Sequence, residues 1–251
     1  MENHSEEEVV NSNQAGETDS KSIIQLSPLQ RYWFIALELP VVVLLQVALS
    51  VISISVFKFD LAVASSIAAT GILIYYLVRQ PIINSFNPVQ KAYLSLPLKE
   101  NILLIIQGAL LSLLVLFSYS FFIELIGYTP KPQNVDAILR PKEIISGSVS
   151  LTATYLMVVY SAPLWEEIAF RGILQDSLQK TLSASQAIII SGLLFSLIHI
   201  DFDQFIPLTL LGCIFGWMYH RSGSIFPSVI AHSLVNNLGI YTKLIQEFEK
   251  L

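Results

Sequence analysis

This sequence predicts an all-α, polytopic membrane bundle of seven to eight helices, and three observations carry the prediction. Hydrophobic residues make up 53% of the chain and charged residues only 13%, about half the charge with which a soluble domain covers its surface. Mean hydropathy is +0.62. Apolar runs, the longest of them matching the ~20 residues that cross a hydrocarbon layer, recur along the chain between short polar or proline-bearing connections.

Taken in order, residues 1–30 form a Glu/Ser/Asn-rich tail without apolar period, expected to be disordered and cytoplasmic. Glu2, Glu6, Glu7 and Glu8 stand where a secretory signal would carry positive charge, so the tail does not read as a cleaved leader. Residues 31–144 are expected to hold the first membrane helices, at Trp33–Phe57, Leu61–Val78 and Asn101–Ile126. Two connections interrupt them: residues 80–100 with Pro81, Pro88 and Pro97, and residues 127–143 with Pro130, Pro132 and Pro141. Prolines at that density disfavour continuous helix. Residues 145–242 form the expected catalytic core, with helices at Ile145–Leu164, Trp165–Leu182, Ala187–Ile200, Ile206–Tyr219 and Ile225–Tyr241. With the N-terminus inside, Arg79, Lys91, Lys99, Lys180 and Arg221 fall on the cytoplasmic side, a small basic excess.

Charge and cysteine content exclude some classes. The net charge of -5 comes largely from the tail, and no basic patch points to nucleic acid. Cys213 is the single cysteine, which rules out an intramolecular disulfide framework, and its apolar surroundings read as packing.

The short C-terminal helices carry polar groups where such groups are expensive. Glu166 and Glu167 are adjacent, and Arg171 lies one helical turn after Glu167, in the favourable acid-before-base order. Glu166 points about 100° away around the helix, so its neighbour can be held by the arginine while it stays free. As a rival reading, the pair is simply acid at the positive end of a helix dipole. His199 closes an apolar helix ahead of Asp201 and Asp203, with Phe195 one turn back to wall a pocket; a histidine at the membrane–water boundary is the plainer alternative. His232 and Asn236 share one face of the last apolar helix, which implies a polar cavity or a helix–helix hydrogen bond. His220 next to Arg221 reads as a solvated turn, and Gly212 and Gly216 as a small-residue packing pair. Ser191 and Ser196 lack a nucleophile elbow, and the H-E-x-x-H zinc-peptidase pattern is absent.

Read in series, EEIAFRG, FSLIH and HSLVN resemble the E-E-x-x-x-R, F-x-x-x-H and H-x-x-x-N motifs of the CPBP or Abi family, the CAAX prenyl endopeptidases and bacteriocin-processing or immunity proteins. The similarity covers roughly residues 145–240. It implies an intramembrane endopeptidase in which Glu166 is the base and His199 positions the water. On the same resemblance His232 and Asn236 stabilise the oxyanion, while Glu167 and Arg171 are orienting or structural.

The expectation is therefore a multi-pass protein of the cell membrane that hydrolyses a peptide bond without a cofactor. Its partners would be the lipid bilayer and a peptide or membrane-protein substrate, possibly lipidated. Two alternatives stay open. Glu166, His199 and His232 are also a two-imidazole, one-carboxylate set that suits zinc. A non-catalytic immunity or regulatory protein could use the same polar groups only to lock helices together.

Overall fold

The computed structural model describes residues 28–57, 61–86, 98–129 and 151–249. Every regular element among them is helical: α1 (Pro28–Phe57), α2 (Leu61–Phe86), α3 (Leu98–Leu125), α4 (residues 151–178), α5 (Ala184–Leu197), α6 (Phe205–Ser222) and α7 (Phe226–Phe248). The fold is the expected all-α bundle, with seven helices among the described residues. Nearly all of the acidic tail, the Lys58–Asp60 connection and most of the two proline-bearing connections lie outside them.

Three local expectations need correction. α2 continues past Pro81 to Phe86 instead of ending at Val78. Proline removes one backbone hydrogen bond, whereas ending a helix at apolar depth would orphan several backbone groups. The expected division into separate helices Ile145–Leu164 and Trp165–Leu182 is also absent. α4 is one continuous rod in which π-helical turns at Leu156–Ser161 and Ile168–Gln175 flank a short α-helical stretch, Ala162–Glu167. The wider turn before Pro163 accommodates its missing N–H and its ring. Finally, His220 and Arg221 occupy the last turn of α6, not a loop, and Gly223 at φ 67° ends that helix. Arg221 there meets the negative end of the helix dipole.

Packing makes α4 the hub. Its residues Leu164, Ile168 and Ile173 pack with Val42 of α1, Ala69, Ile72 and Tyr76 of α2 and Tyr219 of α6. Around the rod, Phe170 and Leu174 meet Ala187 and Phe195 of α5. α3 joins through Leu104, which packs with Phe215 and Met218 of α6 and Val235 of α7. The α5–α6 crossing is tight enough that a Cβ on Gly212 would stand 2.7 Å from the Gly192 Cα, which fits the small-residue packing read from the sequence. Gly216 is faced instead by the Gln175 side chain.

Apolar faces outside this core have no protein cover among the described residues. α3 presents Leu103, Ile106, Leu110, Leu114, Phe117 and Phe121 outward at helical spacing. Among those residues one helix, Asn101–Leu125, is long and apolar enough to cross a membrane; shorter apolar stretches lie at Pro40–Ser53, Val63–Leu77 and Ala184–Leu197. Such stripes fit a helical membrane bundle.

Candidate active site

The acidic pair lies where the short α stretch of α4 gives way to its second π segment, so both carboxylates point into the bundle. Glu167 is fully buried and held on two sides. Arg171 Nε stands 3.2 Å from its Oε2, and His232 Nδ1 lies 3.1 Å from its Oε1. Glu166 faces the other edge of the same imidazole, with His232 Nε2 3.8 Å from its Oε2. The glutamate side chains differ in access: Glu166 keeps 10% of its surface and Glu167 none. Of the two carboxylates, Glu166 is the one that keeps some contact with its surroundings outside the protein.

Arg171 is anchored by more than its acid. Its Nη2 donates to the Gly212 carbonyl at 2.9 Å, and its Cζ lies 4.7 Å from the Phe195 ring centre and 5.6 Å from that of Phe215. These contacts suit a planar cation, by hydrogen bonding and by the negative faces of the rings. One turn on, Gln175 Nε2 repeats the pattern by donating to the Gly216 carbonyl at 2.8 Å. α4 is thereby clipped to the backbone of α6 at two successive turns. Further along, Asp176 accepts from the Tyr219 hydroxyl at 3.0 Å and pairs with Lys180 at 2.9 Å.

Both imidazoles are oriented by their Nδ1 atoms. His232 stacks on Phe215 with ring centres 4.8 Å apart and turns its Nδ1–H to the Glu167 carboxylate. His199 lies just past the end of α5, where its Nδ1 is 2.8 Å from the Phe195 carbonyl. A carbonyl oxygen only accepts, so the proton sits on Nδ1 and Nε2 is left for the site. Phe195 lies against His199 at 4.8 Å and against His232 at 5.8 Å, the wall expected from its place one turn before His199. Glu166 lies within electrostatic range of both histidines, of Glu167 and of Arg171.

Asn236 is bonded to the backbone of α4. Its Nδ2 donates to the Val158 carbonyl at 2.9 Å, in the first π segment of α4 two turns before Glu166. That bond ties α7 to α4 and leaves the second amide hydrogen uncommitted by it. The serines are likewise turned to the main chain: Ser191 donates to the Phe170 carbonyl at 3.0 Å and Ser196 to that of Phe205 at 2.7 Å. Among the described residues no three His, Cys, Asp or Glu side chains are grouped so as to hold a metal ion. Phe215 and the Glu167–His232 bond escaped the sequence reading; the one available hint was that Phe215 shares a helical face with Gly212.

Comparison with known proteins bears on the same stretch. Residues 148–238 match the family described as "Type II CAAX prenyl endopeptidase Rce1-like". The chain is 29% identical over 97 residues to the "Putative membrane peptidase YdiL" of Bacillus subtilis, covering 38% of this chain and 40% of that one. It is 31% identical over 109 residues to the "UPF0177 protein YxdF" of Lactococcus lactis, covering 43% of this chain and 60% of that one. These matches span about half the length of the two relatives. No solved structure matches the chain significantly. The resemblance carried by the three motifs stands: the helices over residues 148–238, with the buried acid–imidazole cluster among them, match the Rce1-like family of type II CAAX prenyl endopeptidases.

Proposed function

We propose that this chain is a multi-pass intramembrane endopeptidase that hydrolyses a peptide bond with a water molecule activated by Glu166. One observation carries the reading: the only partly exposed acid of the buried cluster lies 3.8 Å from an imidazole nitrogen whose ring is fixed from behind by Glu167. A water at ordinary hydrogen-bonding distance can touch Glu166 Oε2 and His232 Nε2 at once, because two legs of about 2.8 Å close over that base. Glu166 takes a proton from the water as its oxygen adds to the carbonyl carbon, and later returns it to the departing amine. His199 Nε2 contacts the same water or the adjacent substrate group.

The negative oxygen formed at the carbonyl needs donors. His232 supplies one from Nε2 when its ring is doubly protonated, and the free amide hydrogen of Asn236 supplies the second. Phe195 and Phe215 exclude bulk water around them. The substrate is a peptide or membrane-protein segment, lipidated or not, that reaches the site through the bilayer. No cofactor is assigned. Activity lost to chelators and restored by zinc would replace this mechanism with a metal-dependent one.

A second reading takes the bonds of Arg171, Gln175 and Asn236 to backbone carbonyls as helix packing and nothing more. On that reading the chain is a membrane immunity or regulatory protein, and its effect in cells survives loss of the Glu166 carboxylate. Quantitative proteomics of membranes from cells carrying the wild-type chain or Glu166→Gln separates the two. The hydrolase reading predicts a membrane peptide that accumulates uncleaved with the variant; identical peptide profiles with a retained cellular effect would support the immunity reading.

A further inference from the structure

The loop that carries His199 is held in an unfavourable shape. Ile200, the next residue, has φ 51°, a left-handed conformation that is an outlier for a β-branched side chain. Such backbone persists only where its surroundings impose it. The base of the loop is closed by the bond from Ser196 to the Phe205 carbonyl, and Asp201 Oδ1 accepts from the Gln204 amide at 3.2 Å. The far side is tied to another helix altogether. Tyr119 of α3 donates its hydroxyl to the Asp203 carbonyl, and Tyr128, just beyond α3, donates to Asp203 Oδ1 at 2.7 Å.

Tyr128 is itself locally fixed. Gly127 at φ 65° ends α3, with its N–H on the Glu124 carbonyl at 3.0 Å and the Tyr128 N–H on that of Ile123 at 3.1 Å. That paired pattern is a Schellman cap, which sets the direction of the residue following the glycine. The bond to Asp203 also holds the Tyr128 phenol above the usual tyrosine range. α3 carries an outward apolar stripe, yet at its end Tyr119 and the following Tyr128 both donate to one aspartate four residues after His199.

We propose that Tyr119, Tyr128 and Asp203 form a latch that positions His199, holding its loop against the end of α3 so that Nε2 faces Glu166. The inference rests on the hydrolase reading for its catalytic consequence, but the latch itself is measurable without turnover. The full chain in bilayers is treated with diethyl pyrocarbonate, and modification of His199 is followed by peptide mapping, with the exposed His220 as the internal reference. Tyr128→Phe and Asp203→Ala each raise the His199 rate severalfold relative to His220. Asp203→Asn, which keeps an acceptor oxygen, stays near wild type. With a cleavable peptide, the first two variants lower kcat about five- to tenfold, the scale of one lost hydrogen bond, and leave KM unchanged.

Unchanged His199 reactivity in both Tyr128→Phe and Asp203→Ala overturns the latch, as does an Asp203→Asn variant that behaves like Asp203→Ala. If the wild-type chain cleaves nothing while the reactivity changes appear, the latch stands and the hydrolase reading falls.

Discussion

Replacing Glu166 with Gln removes turnover by about two to four orders of magnitude, the contribution of a positioned general base, while the protein still inserts and melts like wild type. The variant keeps the shape of the side chain and deletes the charge that accepts the water's proton. Stability is spared because Glu166 makes no short bond: the facing imidazole nitrogen, His232 Nε2, is 3.8 Å away. Glu167→Gln is the informative contrast. It removes charge from an acid held at 3.2 Å by Arg171 and at 3.1 Å by His232, so it lowers stability and activity together. Parallel melting curves and rates on a reporter peptide check both. Equal loss of stability in the two variants would assign Glu166 to packing, not chemistry.

Arg171→Met is the change with the largest structural effect. The guanidinium is fully buried, and its loss leaves the Glu167 carboxylate charged, dry and without its cation. Breaking a buried pair from one side typically costs about 3–5 kcal/mol, and the methionine also abandons the Gly212 carbonyl. The expected outcome is a protein that accumulates poorly and unfolds at markedly lower temperature or denaturant concentration. Arg171→Lys rescues little, since an ammonium cannot reach the acid and the carbonyl with one planar fork or stack between Phe195 and Phe215. The double change Arg171→Met with Glu167→Leu should recover stability without activity, because both charges leave together. Failure of the double variant to recover would mean that the contacts to Gly212 and the rings outweigh the ion pair.

These effects show which parts of the molecule the sequence made legible. Helix class and most boundaries followed from apolar length, because a bilayer or a bundle interior leaves the backbone no alternative to helix. The Glu167–Arg171 pair followed from one-turn spacing, and Phe195 beside His199 from the same rule. What could not be read was anything set between helices. Asn236 and His232 share a face of α7, yet His232 meets the acids of α4 while Asn236 is drawn to Val158 by a carbonyl in a π turn. No periodicity in the sequence announces a π turn, and the shift it imposes decides which partner each side chain finds. The stretch around Pro163 illustrates the same point: two helices were expected to meet at Leu164 and Trp165, and the widened turn before the proline lets one helix continue. The Tyr119–Tyr128–Asp203 tie was invisible for a further reason, since it joins residues more than seventy positions apart.

The central claim is that Glu166 delivers water, and a single-turnover cleavage run in 18O-labelled water tests it most directly. The account predicts one 18O atom in the new carboxylate of the product, no label in the recovered Glu166 side chain, and no labelled product from Glu166→Gln. Label appearing in the Glu166 carboxyl group, or labelled product formed by Glu166→Gln at the wild-type rate, would contradict it.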